Sequence, residues 1–189
     1  MSVQWDQNPL PGDIILAASK NPKWAIYATL QLLTGAPSVY THAALCLDNG
    51  EYLDHRPGGA IIRPISDLAE RNFIAFSRNT LSDEQRQLVV DVARAYVSAP
   101  YTFWRFGYLA GRTMRLGARV LRQLDRRCKG ATICSELVLR IYNEAEIPFA
   151  AWAMDPRESS PGALSRIGLW SHYQAAPLGF LDPPAAAIG

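Results

Sequence analysis

Residues 41–55 read Thr41-His42-Ala43-Ala44-Leu45-Cys46-Leu47-Asp48-Asn49-Gly50-Glu51-Tyr52-Leu53-Asp54-His55. Two short runs of β-type residues flank Asn49-Gly50, and Asn-Gly between such runs is the strongest short hairpin signal. His42 begins the first strand of that hairpin, and Asp54 and His55 end the second. Side chains alternate faces with period 2, so the length of the loop decides which of them joins His42. A two-residue turn pairs Asp48 with Glu51 and puts His55 on the face of His42. A three-residue loop, with Gly50 in the left-handed bulge position, pairs Leu47 with Glu51 and puts Asp54 there instead. Both turns accept Asn-Gly, so the spacing leaves both open.

Upstream, Gly12-Asp13 opens the apolar run Ile14-Ile15-Leu16-Ala17-Ala18, which reads as a buried strand. Asn21-Pro22 can start a helix carrying Trp24, Tyr27, Leu30 and Leu33, ended by Gly35 and Pro37. Downstream, Ala60 to Ile65 and Phe73 to Phe76 are further strands. Ser82-Asp83-Glu84-Gln85 is a capping-box pattern opening a helix with Leu88, Val89, Val92 and Tyr96 on one face, broken by Ala99-Pro100. A long basic helical segment is expected over roughly 104–127,. Lys129-Gly130 ends it, and Thr132 can cap a last strong helix carrying Leu137, Leu139 and Ile141. Ser160-Pro161-Gly162 looks like a cap with Pro at the first helical position, and residues 167–189 are expected to be an irregular tail. One strand, a helix, a run of strands and then helices argues for the α+β class rather than alternating α/β. A single domain with its core over roughly 10–166 is expected,.

The 189 residues are 49% hydrophobic and 19% charged. That supports a sizeable core and excludes collagen-like, coiled-coil-only, low-complexity and disulfide-scaffold classes. No basic segment followed by an apolar run opens the chain, and no window nears 18 apolar residues. Neither a secretory signal nor a transmembrane helix is expected, and the expected location is cytoplasmic. Three cysteines, Cys46, Cys128 and Cys134, are an odd number without framework spacing, which favours reduced thiols. There is no C-x-x-C, and His42, His55 and His172 are scattered, which argues against zinc. The net charge of +2 hides an uneven distribution. Residues 105–129 hold eight bases against Asp125, a local +7, while the other 11 bases and 16 acids leave the remainder at −5.

Cys134 is the most informative single residue. It lies one or two positions inside the start of the last helix, where unpaired N–H groups and the positive dipole end favour a thiolate. The thiolate is the nucleophile of cysteine enzymes, although most free cysteines are small buried hydrophobes. Cys46, mid-strand between Leu45 and Leu47, reads as core. Cys128 has basic neighbours but no helix-start context. A nucleophilic cysteine needs a base, usually His, oriented by a third polar group. His42 fits the base, and Asp54 or His55 fits the third role.

Five ordered pieces resemble the circularly permuted papain-like proteins of the NlpC type, related to the lecithin:retinol acyltransferase-like enzymes. They are Pro11-Gly12-Asp13-Ile14-Ile15, Thr41-His42-Ala43-Ala44-Leu45, the polar residue Asp54 twelve positions after the His, Ile133-Cys134-Ser135-Glu136-Leu137-Val138, and Ser159-Ser160-Pro161-Gly162-Ala163-Leu164. The resemblance implies a papain-like antiparallel sheet with packed helices. It also implies Cys134 as nucleophile, His42 as base and Asp54 as orienter, and it selects the three-residue loop; His55 stays as the rival third residue. The permutation puts His before Cys, the reverse of ordinary papain-like order. The implied chemistry is acyl transfer through a thioester, with the oxyanion met by backbone N–H groups at the helix start and no cofactor.

Arg112, Arg115, Arg119, Arg122 and Arg126 recur at spacings of 3 and 4, which places five guanidinium groups along one face of the expected long helix. Such a face suits an anionic membrane surface or lipid headgroup; the plainer reading is a solvated face. Nucleic acid ranks last as a partner, because no nucleic-acid motif accompanies the charges. Three function classes follow. The first is a cysteine hydrolase of amide bonds in peptide-like, including cell-wall, substrates. The second is a lipid-directed thioesterase or acyltransferase. The third is an idle lipid-binding module of the same fold. The groove beside Cys134 discriminates them, since a deep apolar tunnel suits acyl chains and a polar cleft suits peptides.

Overall fold

A computed structural model describes residues 9–21, 38–77, 80–128, 130–147, 155–166 and 170–173. The helix expected over 22–33 lies outside the described residues. Six strands form one antiparallel sheet: β1 (Ile14–Ser19), β2 (His42–Cys46), β3 (Glu51–Arg56), β4 (Gly59–Pro64), β5 (Asn72–Ser77) and β6 (Trp170–Tyr173), in the spatial order β4-β3-β2-β1-β5-β6. The helices are α1 (Ile65–Arg71), α2 (Asp83–Ala95), α3 (Trp104–Thr113), α4 (Ala118–Arg127), α5 (Cys134–Glu144) and the single turn α6 (Pro161–Leu164). The class is α+β, because the strands pair locally and the helices follow in series.

Both faces of the central strands are covered, which is why β1 reads as an unbroken apolar run. Ile14, Leu16, Ala43, Leu45 and Leu53 point to one face and pack on Val89, Val90 and Ala93 of α2 and Leu137, Val138 and Ile141 of α5. Ile15, Ala17, Ala44, Cys46, Tyr52, Ile74 and Phe76 point to the other and pack on Ile65, Leu68 and Ala69 of α1. Each fully buried Leu or Ile stabilises the fold by about 1.5–3 kcal/mol.

The β2–β3 loop has three residues. Leu45 pairs with Leu53 and Cys46 with Tyr52, and the Leu47 N–H donates to the Glu51 carbonyl at 2.9 Å. Asn49 (φ 55°) and Gly50 (φ 71°) both take left-handed backbone, which Gly adopts without penalty and Asn tolerates,. The parity puts Asp54, not His55, on the face of His42.

Four expectations need correction. Ile65 leaves the strand assigned to it and opens α1, where Ile65, Leu68 and Ala69 fall at i, i+3 and i+4 and cover one face of the sheet. The buried face of α2 is Arg86, Val89, Val90 and Ala93, and Leu88 is exposed. The expected face missed Arg86, which is buried because its guanidinium donates to Asp13 at 3.0 Å and to the Pro11 carbonyl at 2.8 Å. Trp170–Tyr173 is not irregular; it pairs with β5 and covers an edge that would otherwise expose unpaired backbone,. Finally, the basic segment is two helices, not one. Arg115 takes φ 56° and Gly117 caps α4, so the chain folds back. Leu121 and Leu124 of α4 then pack over Gly107 and Gly111 of α3, and a Cβ added at Gly111 would come within 3.1 Å of Leu121. The five arginines therefore divide: Arg112 on α3, Arg115 in the turn, and Arg119, Arg122 and Arg126 on α4.

Candidate active site

One end of the sheet collects the chemistry. β1 finishes there with Ser19, β2 starts with His42, β3 finishes with His55 and Arg56, and β5 starts with Asn72. Cys134 arrives from the α5 side as the first residue of its helix. Thr132 does not cap that helix. Its backbone is taken by a bridge to Tyr101, with its N–H on the Pro100 carbonyl at 3.1 Å and its carbonyl accepting from Thr102 at 3.0 Å. Ile133 is the N-cap, in extended conformation. The Cys134 N–H is consequently one of the first-turn donors without an intrahelical acceptor.

His42 Nε2 lies 2.8 Å from Asp54 Oδ1. That leaves Nδ1 for the hydrogen bond between His42 and Cys134. Burial opposes charge on His42, but the Cys134 thiolate and the Asp54 carboxylate outweigh it and hold the imidazolium up to about 9. Burial likewise opposes the Cys134 thiolate. The imidazolium, its hydrogen bond and the N–H groups of Ala43 and Ser135 outweigh that and pull the thiol below its ordinary value. The two groups form a thiolate–imidazolium pair. Burial pushes the other two thiols up: Cys46 within the sheet, with Asp13 adding to the effect, and Cys128 against the Leu124 carbonyl.

Asp54 is 1% exposed, and burial disfavours its charge, yet it stays well ionised. Besides His42 it receives Arg56 Nε at 2.8 Å, Arg63 Nε at 3.4 Å and the Tyr52 hydroxyl at 3.3 Å. Tyr52, Asp54 and Arg56 alternate along β3, and Arg63 of β4 sits opposite Tyr52. The sequence reading missed these three supporting side chains, although the period-2 spacing of Tyr52 and Arg56 around Asp54 was a signal for two of them.

His55 is placed near the site but in a different role. It points to the opposite face, where its ring meets Tyr101 edge-on at 5.1 Å. Neither of its nitrogens makes a hydrogen bond of ordinary length. Burial lowers its basicity more than the nearby carbonyls of Ile133, Pro100 and Ala99 raise it, so it is a neutral ring walling the site. His172 lies in β6, its backbone opposite Ala75.

Two of the resembling segments brace this arrangement. The Ser135 hydroxyl donates to the Ser159 carbonyl at 3.2 Å, and Ser160 caps α6. The Tyr142 hydroxyl of α5 donates to the Gly12 carbonyl just before β1. Glu136, two residues after Cys134, is fully buried and takes Arg105 of α3 through both oxygens (2.9 and 3.3 Å) and Arg140 at 2.8 Å. Arg105 also donates to Asp125 of α4 at 2.9 Å. A buried ion-pair cluster thus ties the α3–α4 hairpin to α5, the helix that Cys134 opens. Arg105, one of the eight bases of residues 105–129, is a buried structural residue.

A cleft of about 470 Å³ opens beside Cys134 and His42. Polar and cationic side chains line it, among them Thr41, Asn72, Lys20, Arg56 and Arg71, although more of its lining surface is apolar than polar. Among the described residues, no group of three or more His, Cys, Asp or Glu is placed to hold a metal ion. Among them, too, no helix is long and apolar enough to cross a membrane.

No family model matches the chain, and no curated protein matches it. Among solved structures, the metalloprotein YiiX of Escherichia coli O157:H7, a DUF1105 protein, aligns with a TM-score of 0.49 and 23% identity, over 72% of this chain and 66% of that one. The chain spans about two thirds of that protein's length.

Proposed function

We propose that this protein is a papain-like cysteine hydrolase that cleaves an amide bond of a peptide-like substrate through an acyl-thioester. The observation that carries the reading is a relay of three groups, with Cys134 and Asp54 buried and His42 half-buried between them. Cys134 at a helix start is hydrogen-bonded to His42, and Asp54 holds His42 at 2.8 Å from the other side. The thiolate adds to the carbonyl carbon, forming the C–S bond, while the N–H groups at the start of α5 receive the oxyanion. The imidazolium gives its proton to the departing amine as the C–N bond breaks. The neutral imidazole then takes a proton from water, whose oxygen attacks the thioester. The acid leaves, and thiolate and imidazolium are restored. Asp54 fixes the ring and stabilises its charged form, the role a triad carboxylate plays. No step calls for a cofactor.

The polar and cationic side chains at the cleft, Thr41, Asn72, Lys20 and Arg71, favour peptide-like over long acyl-chain substrates,. A panel of amide, ester and thioester acyl donors tests the reading, with intact-mass detection of the acyl-enzyme. Amide turnover and a mass adduct on Cys134, both lost in Cys134→Ala, are expected. A protein inert to all three classes that gives no adduct would end it.

The second reading, a lipid-directed thioesterase or acyltransferase, has one observation in its favour. The tip of the α3–α4 hairpin exposes Met114, Leu116 and Val120 beside Arg115 and Arg119. Apolar wedges flanked by arginines suit peripheral contact with an anionic membrane surface.

A further inference from the structure

Charge pairing differs sharply between the cleft and the rest of the sheet. Around the cleft, Arg86 pairs with Asp13, Arg94 with Asp48 and Glu51, Arg63 with Asp54, and Arg105 and Arg140 with Glu136, and within the cleft Arg56 also pairs with Asp54. Lys20 and Arg71, at the mouth of the cleft, have none among the described residues. Lys20 is instead held by neutral groups. Its ammonium donates to the carbonyls of Ala69 and Glu70 at 3.1 and 3.3 Å and rests over the Phe73 ring at 5.3 Å. An ammonium has three donors, so this clamp fixes its position without cancelling its charge and leaves a donor to spare. Arg71 ends α1 and is exposed. Arg56 enters the same cleft with its Nε committed to Asp54.

No Asp or Glu lines the cleft among the described residues. This is not a by-product of composition, since the chain outside 105–129 is net acidic. Uncompensated cations around a concave site focus potential and concentrate anions there. Guanidinium and ammonium donors together match a carboxylate. A cleft of this size belongs to the range of small-molecule and peptide-end sites.

We propose that Lys20 and Arg71 form a carboxylate subsite beside Cys134, so that the acyl donor is a peptide-like amide carrying an anionic group next to the bond cleaved. This deepens the reading of Cys134 as the nucleophile and rests on it for the word donor. The anion preference itself is a property of the cleft and can be measured without turnover.

The test compares alkylation of Cys134 by iodoacetate and by iodoacetamide, two reagents of similar shape that differ in charge, in wild type, Lys20→Gln, Arg71→Gln and the double variant. Each ratio is normalised to that of a free small thiol. The wild-type ratio is expected to exceed the free-thiol ratio roughly tenfold at low salt. It should fall towards that ratio in the double variant and in high salt, with the iodoacetamide rate held within about twofold. A wild-type ratio no higher than that of the free thiol, or one that the double variant leaves untouched, overturns the subsite. The ratio does not depend on how reactive the thiol is. A slow Cys134 with a high ratio would sink the hydrolase reading and keep the subsite; a fast Cys134 with an ordinary ratio would do the reverse. In turnover, paired amides with Glu or Gln beside the scissile bond should differ in KM, and the double variant should raise KM for the Glu donor only.

Discussion

The site at the end of the sheet and the α3–α4 hairpin both depend on arginines, and they use them in opposite ways. Asp54 gathers His42, Arg56 and Arg63, and Glu136 gathers Arg105 and Arg140, because a charge taken out of water must be met by another,. On the hairpin, Arg115, Arg119, Arg122 and Arg126 are exposed and have no ion-pair partner among the described residues. Water solvates them, so they specify no fold and stay available for an anionic surface. Residue type does not separate the two groups; a buried carboxylate to meet does, since Asp54 and Glu136 are buried and hold even the exposed Arg63. Arg105 makes the point, since it lies in the basic stretch by sequence and in the buried network by structure.

The comparison breaks most visibly if the site is not a coupled unit. His42→Ala should slow acyl transfer about 10²- to 10⁴-fold. It should also abolish the preference of iodoacetamide, at mildly acidic pH, for Cys134 over Cys46 and Cys128. Peptide mapping after brief labelling reads this directly. Equal labelling of the three thiols in wild type, or Cys128 first, would remove the activated thiolate.

Next in size is the contrast between two arginines 14 positions apart. Arg105→Met leaves Glu136 buried with only the half-exposed Arg140, and should cost about 3–5 kcal/mol. Arg119→Met on the hairpin surface should stay within about 0.5 kcal/mol. Denaturant midpoints at constant slope decide it. Similar losses for both would mean that exposure is the wrong axis for this comparison.

A smaller effect sharpens the electrostatics. The imidazolium of His42 is held up to about 9, and the Cys134 thiol is pulled below its ordinary value. The productive thiolate–imidazolium form therefore exists between the two. Hydrolysis should rise with pH as the pair forms and fall above about 9 as the imidazolium loses the proton that the leaving amine needs; both limbs belong to the pair rather than to either residue. Alkylation needs only the thiolate, so it should keep no such falling limb. A hydrolysis limb centred near the ordinary histidine value of about 6.5 would show that Cys134 does not support the charge on His42.

How much of this was legible follows the same division. The strands, the Asn49-Gly50 hairpin, the capping box at Ser82 and Cys134 at a helix start carry local signals, and the structure has each of them. The choice between Asp54 and His55 turned on one residue of loop length, a cooperative outcome of register that Asn-Gly does not encode. The break at Arg115 was hidden because helical periodicity of arginines says nothing about whether Gly111 offers room for Leu121 to fold back on. Arg105 and Arg86 were unreadable as buried groups, because each is buried only by virtue of a carboxylate brought from 31 and 73 positions away, respectively.

The smallest expected effect bears on the hairpin itself. Each basic residue near an anionic leaflet contributes about 1 kcal/mol, so each charge removed from Arg115, Arg119 and Arg122 should weaken vesicle binding roughly fivefold. The apolar tip adds an area-dependent part, and Met114→Ser with Leu116→Ser should weaken binding to neutral and anionic vesicles alike. Arginine changes should act on anionic vesicles only and fade with salt. None of these residues touches Cys134, His42 or Asp54 in the described contacts, so turnover of a small soluble amide should stay at the wild-type rate. Sedimentation with phosphatidylserine-containing and pure phosphatidylcholine vesicles separates the two contributions. Binding that ignores both sets of substitutions would return the arginine face to simple solvation. The hairpin would then act through Arg105 alone, as a brace for the helix that Cys134 opens rather than as a surface that meets anything.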